Sequence, residues 1–271
     1  MSRALAIFHG RFGRATVYQL NRSFNLHAHR EGHLIFHLDG ADGIVEVSGE
    51  SCRLSSDAFV AINPWEPHNF MPTDLHAGSF FLVLYVNPEW FSTGDGTPLR
   101  FGRSRTLRTP GLDRQIQKMA AMVQMTASRD DLDSELHTII EGCFEQSWRK
   151  VPDRGKPLPS DAHMDFRIKK SIRIMQNVLR VDIDLDFVAR ESGLSRPHFY
   201  RMFRSQTGIT PNLYLNTLVM ENAIEKLVTT KDAVADIGYG LGFSSQSGFG
   251  QFFAANVGMA PSDYRRNTHF V

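Results

Sequence analysis

Cysteine is nearly missing from this sequence. Cys52 and Cys143 stand far apart in apolar surroundings, so neither a disulfide framework nor a zinc knuckle can be built from them, and a reducing, cytoplasmic setting is expected. Long apolar runs are missing too. The longest, Phe80 to Val86, falls far short of the roughly 20 residues of a membrane span, and Met1 to Phe8 lacks the apolar stretch of a signal peptide. A soluble, unexported chain with no membrane partner is expected. Excess charge of either sign is also absent, the formal net charge being +1, which excludes a global field aimed at one class of partner. The balance is −2 for residues 1–162 and +3 for residues 163–271, compatible with nucleic acid in the second part but no proof of it. With 42% hydrophobic and 22% charged residues over 271 positions, the chain can fold, and its length suits two cores rather than one.

Between Ala15 and Val86, short β-branched and aromatic runs such as Leu34–Leu38, Gly43–Val47 and Ala58–Ile62 alternate with turn residues, the pattern of an antiparallel barrel or sandwich. From Gly111 the period becomes helical. Leu112, Ile116, Met119 and Val123 share one face, and Leu132, Leu136, Ile139 and Cys143 another, which predicts an αα-hairpin. Residues 151–162 are rich in proline and lack an apolar face, as a linker does. The expected fold is therefore α+β in two domains. An antiparallel β-barrel fills 1–110, a helical hairpin 111–150, a linker 151–162, and an all-α domain 163–271.

A unit is used twice in the last part. Residues 199–214 and 249–264 align at an offset of 50, with Phe199/Phe249, Phe203/Phe253, Gly208/Gly258, Pro211/Pro261 and Tyr214/Tyr264 identical. Each unit has helix-turn-helix grammar. Ala189 is small where a second helix must cross, Gly193 permits a turn, Leu194 plugs the core, Ser195 is placed to cap, and Pro197 sits just inside the next helix. Phe199 and Phe203 then point inward. Arg196, Pro197, Tyr200, Arg201 and Arg204 form the opposite stripe, suited to guanine edges and phosphates, with a long helix from Asn212 to Val228 joining the two units. The opposed reading is that these are surface arginines of a plain helical bundle.

The segment Ile237–Phe253 followed by Gly258–Arg265 resembles the AraC/XylS family of transcription regulators, over roughly residues 163–266. The resemblance implies double-stranded DNA as partner, with base-reading positions at Pro197, Tyr200 and Arg201 and at Gln246, Ser247 and Gln251, beside Ser245. The second helix departs from the family pattern at Gly248, Gly250, Gln251, Ala254 and Ala255, which implies weaker phosphate anchoring and a less stable helix.

His27, His29, His33, Gly40 and the Pro64–His68 segment resemble cupin barrels, with His33 where a glutamate is usual. His27 and His29 share one side of a strand. In metal-binding cupins these positions are ligands, and His27, His29, His33 and His68 would form an all-imidazole set. The other reading, preferred here, is a barrel that holds a small organic effector and requires no metal, with His27, His29, His33, Trp65 and His68 as effector contacts. Trp65, Phe36, Phe70 and Phe81 are expected as barrel core in preference to dedicated ligand-stacking groups. The hairpin either packs on its own barrel or pairs with a second copy, and the resemblance implies a homodimer on paired half-sites. The function expected is an effector-controlled transcription regulator, not an enzyme, with RNA polymerase a possible partner. The alternative is a metal-dependent cupin enzyme with an accessory DNA-binding domain.

Overall fold

The computed structural model describes residues 2–76, 78–92, 99–125, 129–148 and 164–270. The expected linker 151–162 lies outside them. Among the described residues ten strands come first: β1 Arg3–Gly10, β2 Gly13–Leu20, β3 Phe24–His27, β4 Gly32–Asp39, β5 Gly43–Val47, β6 Glu50–Leu54, β7 Ala58–Ile62, β8 His68–Pro72, β9 Ser79–Val86 and β10 Arg105–Leu107. They form two sheets, one ordered β10-β7-β4-β9-β2-β1 and the other β3-β8-β5-β6. Strand β1 precedes the first strand expected from the sequence.

Period-2 alternation divides the larger sheet between two cores. Ile35, Val60, Ile62, Phe81, Val83 and Tyr85 face the space between the sheets. Their neighbours Leu34, Phe36, Phe59, Ala61, Leu82 and Leu84 face outward, where the hairpin covers them. That is why β7 reads Ala-Phe-Val-Ala-Ile and is buried at every position. The hairpin consists of α1 Pro110–Met125 and α2 Arg129–Trp148.

Both apolar stripes of the hairpin enter this outward core, including Leu132, Leu136, Ile139 and Cys143. The stripe that the dimer reading assigns to a second protomer is therefore consumed within the chain.

The remaining helices are α3 Phe166–Val178, α4 Leu185–Glu191, α5 Arg196–Thr207, α6 Pro211–Thr229, α7 Val234–Gly240, α8 Gln246–Val257 and α9 Pro261–Arg266. Helices α4 and α5 form the first helix-turn-helix, α7 and α8 the second, and α6 joins them. One feature departs from the expected all-α domain. A last strand, β11 Thr268–Phe270, runs parallel to β1 and extends the larger sheet to seven strands. The two domains share backbone pairing as well as a continuous core.

Candidate functional site

The duplicated residues occupy equivalent roles. Phe199, Phe203, Phe249 and Phe253 are each 0% exposed. Pro211 and Pro261 open α6 and α9, where a missing N–H costs no intrahelical bond. Gly193 and Gly242 take φ +73° and +89° in the two turns, as the sequence required of the first. At the crossing of α7 with α8, a Cβ on Gly238 would lie 2.9 Å from Cβ of Phe249, which explains the small residue at that place in each unit. Ser245 caps α8 by accepting from the Gly248 N–H at 3.1 Å. Ser195 holds the equivalent position in α5, but its hydroxyl makes no capping bond, against expectation.

On α5, Arg196, Pro197, Arg201 and Arg204 are exposed and Tyr200 is half-buried. On α8 and at its start, Ser245, Gln246, Ser247 and Gln251 are exposed. The predicted DNA-facing residues thus share two solvent stripes. Two of the arginines have further surroundings. Arg196 donates to Asp186 of α4 at 2.5 Å, and Arg204 borders a groove that also touches Glu46, Trp65 and Glu66 of the barrel.

The other surfaces of both units meet the N-terminal domain. Tyr214 of the first repeat stacks on Trp65, with ring centroids 4.8 Å apart and planes 16° from parallel. Tyr264 of the second repeat accepts a 2.8 Å hydrogen bond from Arg14, a guanidinium only 3% exposed that also lies 3.7 Å from the centroid of the Tyr85 ring. Gly258, at φ +83°, packs so closely that a Cβ there would sit 2.6 Å from the Phe24 ring. Trp65 is therefore an interdomain residue and not barrel core, whereas Phe36, Phe70 and Phe81 are core as expected. Its backbone has φ +63°, a strained value for a large side chain, and is held there by an N–H bond of 2.7 Å to the His29 carbonyl.

The four histidines converge at one end of the barrel. His27 and His68 face each other across β3 and β8, His33 stands on β4 of the opposite sheet, and His29 lies between β3 and β4. Their hydrogen bonds set the tautomers. His68 donates Nδ1–H to the Glu66 carbonyl at 2.8 Å, and His27 donates Nδ1–H to the Asn25 carbonyl at 2.6 Å. Each Nε2 is therefore a lone pair turned toward the cluster. His33 Nε2 lies 2.9 Å from His68 Nε2 and must be the donor, which leaves its buried Nδ1 without a partner. Burial holds His27 down to about 4 and keeps His29, His33 and His68 well below the usual imidazole range, so all four are neutral near pH 7.

The ligand nitrogens of His27, His29 and His68 lie within 4.8 Å of one another, so three of the expected four form a compact donor set. Backbone carbonyls that hold Nδ1–H and aim Nε2 are the outer shell a metal-binding imidazole uses, and these residues fit a metal ion. Open space beside them is about 30 Å³, between Tyr18, Phe24, Phe70 and Tyr85. That holds an ion or about two waters, not an organic ring. The larger opening, about 820 Å³, lies between the domains against Arg14, Glu31, Trp65 and Glu221.

Sequence reasoning missed Arg14, Thr217 and Glu221, which join the domains. Thr217 Oγ1 donates to the Ala28 carbonyl at 3.2 Å, and Glu221 accepts from the Arg30 N–H at 2.7 Å. Burial raises the Glu221 carboxyl to about 7. Tyr214, Thr217 and Glu221 share one face of α6 by their i, i+3, i+7 spacing. The one available signal was the repeated tyrosine, which the sequence showed but which reads equally well as framework.

Comparison with known proteins agrees with this architecture. Residues 12–139 match the AraC-like ligand binding domain, and residues 188–267 match a helix-turn-helix domain. The HTH-type transcriptional activator RhaS of Escherichia coli (strain SMS-3-5 / SECEC) is 34% identical over 245 residues, 88% of this chain and 86% of that protein. The probable transcriptional regulator LumQ of Photobacterium leiognathi is 24% identical over 254 residues, 92% of this chain and 95% of its own length. Unsaturated fatty acid bound wild-type ToxT from Vibrio cholerae strain SCE256 shares the fold with a TM-score of 0.58 at 16% identity, covering 93% of this chain and 94% of that one. Among the described residues no helix is long and apolar enough to cross a membrane. The chain belongs to the AraC family of transcription regulators, with an N-terminal ligand-binding domain and a C-terminal DNA-binding region of two helix-turn-helix units.

Proposed function

We propose that this regulator reads its operator with Arg196, Pro197, Tyr200, Arg201 and Arg204 of α5 and with Ser245, Gln246, Ser247 and Gln251 of α8. Ligand held in the N-terminal domain then alters how firmly that domain grips α6. One observation carries this reading. Both repeats leave their recognition stripes in solvent while their duplicated tyrosines, Tyr214 and Tyr264, are engaged by the sensor. A grip on α6 touches the helix that sets the spacing between the two recognition helices, so a ligand that favours one grip changes DNA affinity.

Homodimer binding to paired half-sites, contact with RNA polymerase, a cytoplasmic setting and action without catalytic turnover belong to the same reading. The dimer contact would use residues of the hairpin other than its two buried stripes. Genome-wide mapping of bound sites followed by footprinting of the full-length protein tests the reading. Arg201→Ala and Gln246→Ala should each lose protection over a different half of the footprint. Unchanged footprints for both variants would refute it, and light scattering decides the dimer.

A further inference from the structure

We infer that the effector of this regulator is a free amino acid with an apolar side chain. It binds as a zwitterion in the cleft between the N-terminal domain and α6, with its carboxylate on Arg14 and its ammonium between Glu31 and Glu221. This rests on the regulatory reading above and names the chemical class and seat of the effector. The cleft measures about 820 Å³, inside the range of roughly 300–1,000 Å³ usual for small-molecule sites. Arg14 lines it with a guanidinium 3% exposed, which donates to Tyr264 and makes no bond through Nε. Among the described residues it forms no ion pair with a carboxylate, so its desolvation is not repaid by a counter-charge. Glu31 lines the same cleft, near enough for the two charges to act on each other, yet the pair does not close. Opposite charges held apart across an open space are the complement of a molecule that carries both. Burial raises the Glu31 carboxyl above its ordinary range, and Glu221, raised to about 7, also feels Glu31 as a like charge. The ion pair of Glu221 with the exposed Arg30, at 3.5 Å, does not offset this, and an ammonium placed between the two carboxyl groups favours the charged form of both.

The rest of the lining selects the side chain. Trp65, Pro88, Ile224 and Val228 present apolar surface to the cleft, which favours a hydrocarbon or aromatic side chain over a charged one. The seat is shared between the domains. Arg14, Glu31 and Trp65 belong to the sensor, while Glu221, Ile224 and Val228 lie on one face of α6 by their i, i+3, i+7 spacing. When both are ionised, Glu31 and Glu221 repel each other across the domain boundary. A bound ammonium replaces that repulsion with an attraction shared by the two carboxylates, and draws α6 onto the sensor. The effector thereby favours the docked arrangement of the helix that spaces the two recognition helices, which is the differential affinity a regulatory ligand needs.

The test is isothermal titration calorimetry on the full-length protein, with L-leucine, L-isoleucine, L-valine, L-methionine, L-phenylalanine and L-tryptophan as probes. At least one should bind, one molecule per chain. Removing either charge from that probe, as its amide or its des-amino acid, should weaken binding by at least about tenfold, because each charge meets a desolvated partner. This comparison needs no variant to fold. Glu31→Gln should weaken the amino acid by a similar factor and leave the affinity of the des-amino acid unchanged. Glu50→Gln, exposed on β6, should alter neither. Saturation with the bound amino acid should shift affinity for the mapped operator. Absence of binding by every probe, a des-amino acid that binds as tightly as its amino acid, wild-type affinity in Glu31→Gln, or an operator affinity indifferent to the bound amino acid would overturn the inference. Sequence-specific DNA binding by the protein in those cases leaves the regulator reading standing. Its loss in every state would remove both.

Discussion

The Arg14 guanidinium of β2 donates to the Tyr264 hydroxyl of α9 across the domain boundary at 2.8 Å, with both side chains buried. A charge this deep needs its partners, because an unpaired buried cation costs far more than the bond itself returns. Tyr264→Phe removes one partner and keeps the ring. Expected is a loss of about 1–3 kcal/mol in urea unfolding. An unchanged unfolding midpoint would show that solvent reaches Arg14.

Arg201 lies on the exposed stripe of α5, at the position that Gln251 holds in α8. Arg201→Ala should cost about 1–3 kcal/mol at the operator and relax preference at one base pair. Equal losses on operator and random DNA would reduce it to a phosphate contact.

Arg204 is exposed, and its counterpart in the repeat is Ala254. Removing a phosphate contact lowers the slope of log K against log salt by about 1, so Arg204→Ala should lower it by that amount while Gln251→Ala leaves it near the wild-type value. The reverse ranking would place the main electrostatic anchor in the second unit.

Gly258→Ala adds a methyl group 2.6 Å from the Phe24 ring at a backbone φ of +83°. Strain and overlap together should destabilise the protein by about 1–3 kcal/mol. The double variant with Phe24→Ala should recover less than expected from relief of the overlap, because Phe24 also packs on Phe70. A neutral Gly258→Ala would mean that the close approach is absent in solution.

Glu221 titrates at about 7 in the folded protein, against an ordinary 4.5, because burial disfavours its charge. Between those values the folded state holds more protons than the unfolded one, so this group makes stability fall as pH rises from about 4.5 to 7. Glu221→Gln should flatten that part of the stability profile measured by denaturant unfolding. A profile as steep as wild type would assign the dependence to another group.

The repeat, the inward phenylalanines and the exposed arginines were legible because helix periodicity and an offset of 50 are local facts of the chain. The hairpin was legible for the same reason. Local pattern could not tell whether its second stripe meets its own barrel or another protomer. Leu132, Leu136, Ile139 and Cys143 are apolar in either case, and only the position of the larger sheet decides that they cover Leu34, Phe36 and Phe59. The capping role of Ser195 failed similarly, since a serine at the right position still has to turn its hydroxyl inward.

Residue order by itself determined the two helix-turn-helix units, the barrel-like strand pattern and the proximity of His27 to His29, because period, turn chemistry and short spacing act within a few residues. Tertiary structure alone decided what joins those parts. Tyr214 and Tyr264 are identical in the repeat, yet one stacks on Trp65 and the other binds Arg14, because each copy meets a different edge of the same barrel. The pairing of His27 with His68 and the alignment of β11 on β1 likewise join residues distant in the chain, whose meeting depends on how the sheets and helices pack and not on any pattern either segment carries alone.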